Sequence, residues 1–295
     1  GLDGRVICGL DVGGTDVKAV LAVNGRLVAL KEHDWNPAAC TEVEEIIDPV
    51  VSIVRLLRAR ASGVSEAVAV TDAVLARETS AAELSSAVER AEALAGTALP
   101  NIDAIGLCFP DVVIRNKVVG GEVPKMIGLR SNHAREFEGQ FSLLTALDER
   151  LRGLVRPGGV VMNTNDGPMA AFTAAVELAA SSEPAAVTRG VFAHTLGTDL
   201  GTGFVPADGV VPEIPLEVYN LIVDLGDAPA TTLCAQDLRS LNNTNTGIPG
   251  TLQRYTSQTG AFRLAQRLLS TSAPELLEQA RARGYVVEKE IDGAP

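Results

Sequence analysis

Three short stretches hold the residues best suited to chemistry. In "VICGLDVGGTDVK" (6–18), Asp11 closes an apolar run and is followed by Gly13, Gly14 and Thr15. Paired glycines allow a tight turn that side chains would block, and such a turn can aim backbone N–H groups at an anion. A carboxylate beside it suits a metal ion or a bound water. The plainer alternative is a hairpin with a polar bend. In "VVMNTNDGPMAA" (160–171), Asn165 and Asp166 end a second apolar run just ahead of Gly167-Pro168 and an alanine-rich segment. A strand end followed by a helix start can hold a carboxylate rigidly enough to act as a general base. Aspartate also caps helix N-termini, and the residues alone leave both roles open. In "HTLGTDLGTGF" (194–204), Gly197, Gly201 and Gly203 punctuate a second polar bend.

The elements around these residues must hold them in place. Val6–Leu10 and Val17–Val23 read as strands, and Asn24-Gly25 is a type I′ turn signal. The first glycine pair therefore lies in a hairpin rather than opening a helix, which argues against a dinucleotide site. Ile46, Ile47, Val50, Val51, Val54 and Leu57 recur at helical spacing, with Pro49 bending that helix or marking its start. Residues 65–76 fit strand or helix. Residues 80–96 predict a helix ending at Gly96, and 102–109 a buried strand. Val160–Met162 predict another strand, and Pro168 suits the first turn of the following helix. Val191–Thr195 and the run from Phe204 predict a second hairpin. Helical patterns return within 259–284.

The chain has 295 residues, 46% of them hydrophobic and 21% charged, enough for two globular domains. A net charge of −12 and a pI near 4.8 argue against a nucleic-acid partner. Cys8, Cys40, Cys108 and Cys234 form no CxxC pair, so neither a disulfide framework nor a thiolate zinc site is signalled. Cys8 and Cys108 lie in apolar runs and read as buried small hydrophobes. With no signal peptide and no membrane-length apolar run, a cytoplasmic protein without a membrane partner is expected. His33, His133 and His194 lack ligand-like spacing.

Taken together, the three stretches resemble the ROK family of bacterial sugar kinases and repressors, part of the hexokinase–actin–Hsp70 superfamily. The family's opening Asp-x-Gly-Gly-Thr-x-x-Lys is matched by Asp11, Gly13, Gly14, Thr15 and Lys18. Its Asn-Asp before an alanine-rich helix is matched by Asn165-Asp166, and its second glycine turn loosely by Gly197, Thr198, Gly201 and Gly203. The resemblance implies an α/β fold of two ribonuclease-H-like domains, 1–157 and 158–295, each with a mixed five-stranded sheet, around an interdomain cleft. It implies ATP- and Mg²⁺-dependent phosphorylation of a sugar or polyol hydroxyl, with Asp166 as base and Asp11 toward the metal. Gly13, Gly14, Thr15, Lys18, Gly197, Thr198 and Gly201 would contact the nucleotide. Asn165, Glu217, Asn220 and Glu122 would contact the sugar, with Asn116 and Lys125 in the same loop region as Glu122. A homodimer is one expected assembly.

The departures from the pattern also carry expectations. Asn220 stands where the family has histidine, and the family's cysteine-rich zinc loop has no cysteines over 242–257, so no structural zinc is expected. Asp199 occupies a usual glycine position, where a carboxylate would repel a triphosphate unless a cation intervened. The family's later adenosine contact and closing helix are not visible before Pro295. The alternative reading is a non-catalytic sugar-binding or regulatory relative.

Overall fold

The computed structural model describes residues 2–110, 112–119, 126–132, 144, 146–181, 184–196, 200–212, 216, 218–224 and 248–285. The chain divides into two compact units, residues 1–166 and 167–295.

The first unit is built on a five-stranded mixed sheet. Strands β1 (Val6–Val12), β2 (Asp16–Val23) and β3 (Arg26–Asp34) form an antiparallel meander. Asn24 (φ 55°) and Gly25 (φ 73°) both take the left-handed conformation that the β2–β3 turn requires. Strand β4 (Ile102–Phe109) lies parallel to β1. A small hairpin follows, β5 (Val113–Ile114) with β6 (Lys117–Val118). Strand β7 (Val155–Asn165) lies parallel to β4, giving the order β3-β2-β1-β4-β7. The sequence predicts this strand at 160–162. It begins earlier and is the edge of the first sheet. Gly158-Gly159 falls where the β4–β7 register shifts, and Gly158 has φ 74°. A local bulge uses a glycine in that conformation without ending the strand.

Helices α1 (Glu44–Arg60), α2 (Ser65–Leu75) and α3 (Ala81–Ala95) pack together, and α1 and α2 also contact the meander. Val12, Val17 and Leu21 of the strands join Ile46, Val54 and Leu57 of α1 in one buried core. Burying each such side chain stabilises the fold by about 1.5–3 kcal/mol. Pro49 lies inside α1 and cannot donate to the Glu45 carbonyl, which instead has the Cys40 thiol 3.9 Å away. The ambiguous 65–76 stretch is helical, and its buried Ala67, Thr71 and Val74 fall at helical spacing. Lys31 is buried, and its ammonium donates to the carbonyls of Val74 (3.2 Å) and Arg77 (2.5 Å), closing the end of α2. Short helices α4 (Ile127–Asn132) and α5 (Ala146–Arg152) precede β7.

The second unit takes all but the first residue of α6 (Asp166–Ala180), then the antiparallel hairpin β8 (Val191–Leu196) and β9 (Leu200–Val205). Helices α7 (Leu252–Thr256), α8 (Gln258–Ser272) and α9 (Pro274–Ala282) follow. Among the described residues this unit has a two-stranded sheet, where a second five-stranded sheet was expected.

Candidate functional site

The first unit gathers its candidate residues where β1, β4 and β7 run parallel and end together. Asp11 lies opposite Cys108, Cys108 opposite Thr164, and Phe109 opposite Asn165. Asp166 follows at once as the first residue of α6. The carboxyl ends of parallel strands are a recurrent ligand position, because the strands fix side chains at one edge while the next turn stays free to vary. The buried Cys108 thiol donates to Asp11 Oδ1 at 3.1 Å. Burial, first, and then the negative charge of Asp11 push this thiol's pKa up, and the charge of Asp166 adds to the shift. Two carboxylates therefore act on one thiol from neighbouring strand ends. Neither composition nor spacing pointed to Cys108; only the strand register brings it between them.

The turn after Asp11 is closed by its own backbone. Gly13 N–H donates to the Asp16 carbonyl at 2.8 Å, and a Cβ at Gly13 would stand 2.9 Å from that oxygen. Glycine is therefore required there by close approach. The N–H groups of Gly14 and Thr15 have no partner among the described residues, which leaves two donors at the bend. Trp35 braces the turn from behind: its indole N–H donates to Gly13 O and its backbone N–H to Thr15 O, both at 3.0 Å. Thr15 Oγ1 is 3.3 Å from Asp16 Oδ2. The Lys18 ammonium pairs with Asp16 at 2.6 Å and Glu32 at 3.6 Å, on a half-exposed side chain. The Asp16 hydrogen bond is the first cause of its raised pKa.

A hydrated Mg²⁺ takes one or two carboxylates and keeps several waters. The exposed Asp11, with Asp166 two strands away beyond β4, offers one or two such carboxylates. Among the described residues, no group of three or more His, Cys, Asp or Glu is arranged to enclose a metal.

Asn116 (φ 68°) does structural work. Its side-chain amide donates to Val161 O at 3.1 Å and accepts from Asn163 N–H at 3.0 Å, fastening the β5–β6 turn to the edge of β7. In the second unit, Gly201 N–H donates to Thr195 Oγ1 at 3.0 Å. A Cβ at Gly203 would collide with the backbone of Gly167 and Pro168, and one at Gly167 with the backbone of Thr202. These glycines let β9 lie directly against the start of α6. His194 Nδ1 lies 2.9 Å from Thr202 Oγ1, and its ring stacks on Phe192. Asn220 closes a short 3₁₀ turn, Val218–Asn220. Glu122, Lys125, His133, Gly197, Thr198, Asp199, Glu217 and Cys234 lie outside the described residues.

No protein-family model matches the chain, and no curated protein does. Among solved structures, it is similar to a ROK hexokinase from Thermus thermophilus (TM-score 0.44, 19% identity, 93% of this chain and 72% of that one). It is also similar to a ROK family glucokinase from Streptomyces griseus (0.49, 16%, 97% and 68%). A third is the inorganic polyphosphate/ATP-glucomannokinase from Arthrobacter sp. strain KM (0.44, 18%, 96% and 87%). The family named in the first two is the one that the sequence motifs resemble. Among the described residues, no helix is long and apolar enough to cross a membrane.

Proposed function

We propose that the chain is a carbohydrate kinase of the ROK type, transferring the γ-phosphoryl group of ATP to a sugar or polyol hydroxyl. The observation that carries this reading is the meeting of Asp11 and Asp166 at Cys108, on parallel strand ends, with the Gly13–Thr15 turn following β1. Asp166 takes the proton of the attacking hydroxyl. The hydroxyl oxygen then bonds to the γ-phosphorus, and the bond to the bridging oxygen of ADP breaks. Asp11 would hold a hydrated Mg²⁺, which when bound would neutralise phosphate charge. The free N–H groups of Gly14 and Thr15 donate to phosphate oxygens. The reading assigns further nucleotide contacts to Gly197, Thr198 and Gly201, and sugar contacts to Asn165, Glu217, Asn220 and Glu122. Lys18 belongs to this set by motif, although its ammonium is already committed to Asp16.

The test is a panel of hexoses, amino sugars and cyclitols with ATP-Mg²⁺ and with polyphosphate, following phosphorylated product by mass spectrometry and binding by calorimetry. Asp166→Asn should cut turnover by ~10² or more while leaving sugar affinity within a few-fold, since it removes a base and little volume. Equal turnover in wild type and variant would overturn the assignment of the base. Sugar binding without transfer from any donor would favour the non-catalytic reading.

A further inference from the structure

The glycine turn after β1 is only half closed, and one side chain keeps it so. Gly13 N–H donates to the Asp16 carbonyl at 2.8 Å, and no bond returns from Asp16 N–H to Gly13 O. A four-residue turn is often closed by that second bond, from the N–H of its last residue to the carbonyl of its first. Here the Gly13 carbonyl is taken instead by the indole N–H of Trp35, 22 residues further on, at 3.0 Å. That is the usual length of a well-formed N–H···O bond. Trp35 is itself fixed twice. Its backbone N–H donates to Thr15 O at 3.0 Å, one step beyond the β2–β3 ladder, and its half-buried ring packs against the core of the first unit.

Peptide geometry gives this bond its consequence. A trans peptide is planar, with its C=O and N–H pointing in opposite directions, and no cis bond occurs among the described residues. With the Gly13 carbonyl drawn to Trp35, the Gly14 N–H is aimed away from the indole, and it has no partner among the described residues. The two glycines do not hold this setting by themselves. Glycine accepts both signs of φ, so a Gly-Gly peptide rotates about its flanking bonds at little steric cost. Without the indole, the Gly13 carbonyl is free to turn to Asp16 N–H, and that rotation carries the Gly14 N–H round with it. We propose that Trp35 is the positioning residue of the phosphate turn: its indole N–H locks the Gly13–Gly14 peptide in the orientation that presents the Gly14 N–H to a phosphate oxygen. The identity of the ligand rests on the kinase reading; the lock rests on the hydrogen bonds alone.

Trp35 is the only tryptophan in the sequence, so the test can change a single group in the full chain. Biosynthetic replacement of tryptophan by 3-benzothienylalanine keeps the bicyclic shape and puts sulfur where the N–H was; 5-fluorotryptophan keeps the N–H. In the unmodified chain, the one indole N–H signal should exchange with solvent ~10-fold or more slowly than that of free tryptophan. By calorimetry, the benzothienyl protein should bind ATP-Mg²⁺ and tripolyphosphate about 3- to 10-fold more weakly than the unmodified chain. The fluorotryptophan protein should stay within about 2-fold. Should the benzothienyl protein melt early, Trp35→Phe, checked by circular dichroism, takes its place. An indole N–H that exchanges as in free tryptophan, equal affinity with and without the N–H, or an equal loss in the fluorotryptophan protein would overturn the proposal. Equal affinity with and without the N–H removes the lock and leaves the kinase reading standing. A slowly exchanging indole in a chain that binds neither ATP-Mg²⁺ nor tripolyphosphate removes the kinase reading, and the positioning role with it.

Discussion

Asp166 and Cys108 show how differently two neighbouring residues can be visible in a sequence. An aspartate between an apolar run and an alanine-rich helix is conspicuous. A cysteine inside a strand reads as one more small hydrophobe, and its bond to Asp11 exists only through a register across 97 residues. That bond makes a prediction. Cys108→Ser keeps a donor for the Asp11 carboxylate, whereas Cys108→Val removes that donor from an exposed acceptor and should cost about 0.5–1.5 kcal/mol, read by urea unfolding. Lys18 yields the opposite lesson. Its place in the motif suggests a phosphate ligand, but Asp16 on the same strand and Glu32 across from it on β3 already hold it. Exposed ion pairs of this kind contribute ~0–1 kcal/mol. Lys18→Met should therefore leave the ATP concentration for half-maximal transfer within about 5-fold of the wild type. A loss of 100-fold would show that the lysine leaves Asp16 to meet the nucleotide.

At the level of elements, local patterns were legible and long-range pairings were not. Alternation and Asn24-Gly25 announce the first hairpin, and Ser80 with Glu83 announces the start of α3, where both halves of a capping box form. Ser80→Ala should lower stability by about 1 kcal/mol. By contrast, nothing local shows that β7 runs from Val155 through Gly158-Gly159, because only the partner strand reveals that pairing resumes beyond the bulge. The glycines of the second bend read as turn punctuation, with nucleotide contact implied for Gly197 and Gly201 by resemblance. Gly203 is required by the backbone of α6 whatever the bend binds. Gly203→Ala should accordingly destabilise the protein by about 1–3 kcal/mol even without ligand. A melting temperature equal to that of the wild type would contradict the packing described for β9.

At the scale of the whole molecule, stability should follow acidity through one carboxylate. Asp103 on β4 accepts from Val6 N–H on β1 (2.8 Å), Arg156 on β7 (2.7 Å) and Arg5 (2.9 Å), so it fastens three strands at their starting ends. These bonds, the Val6 N–H first, hold its pKa well below the usual carboxylate range. A carboxyl lowered on folding stabilises the protein above its unfolded pKa, and that contribution fades as pH falls toward the folded value. Asp103→Asn should thus lower the urea midpoint at pH 7, and its deficit should shrink only below about pH 4. A deficit constant from pH 7 to pH 2 would rule out the clamp.

The strand order has a consequence for the protein's birth. In β3-β2-β1-β4-β7 the first three strands lie within residues 6–34, and every later strand joins on the β1 side. As the chain leaves the ribosome, the meander can pair with itself at once from local contacts. The open edge of β1 then waits for β4, more than sixty residues further on, and the edge of β4 waits for β7. The sheet can therefore be assembled in the order in which it is translated, outward from β1, with no strand displaced to admit another. Asp11, Cys108 and Asp166 become neighbours only as the last of these strands docks.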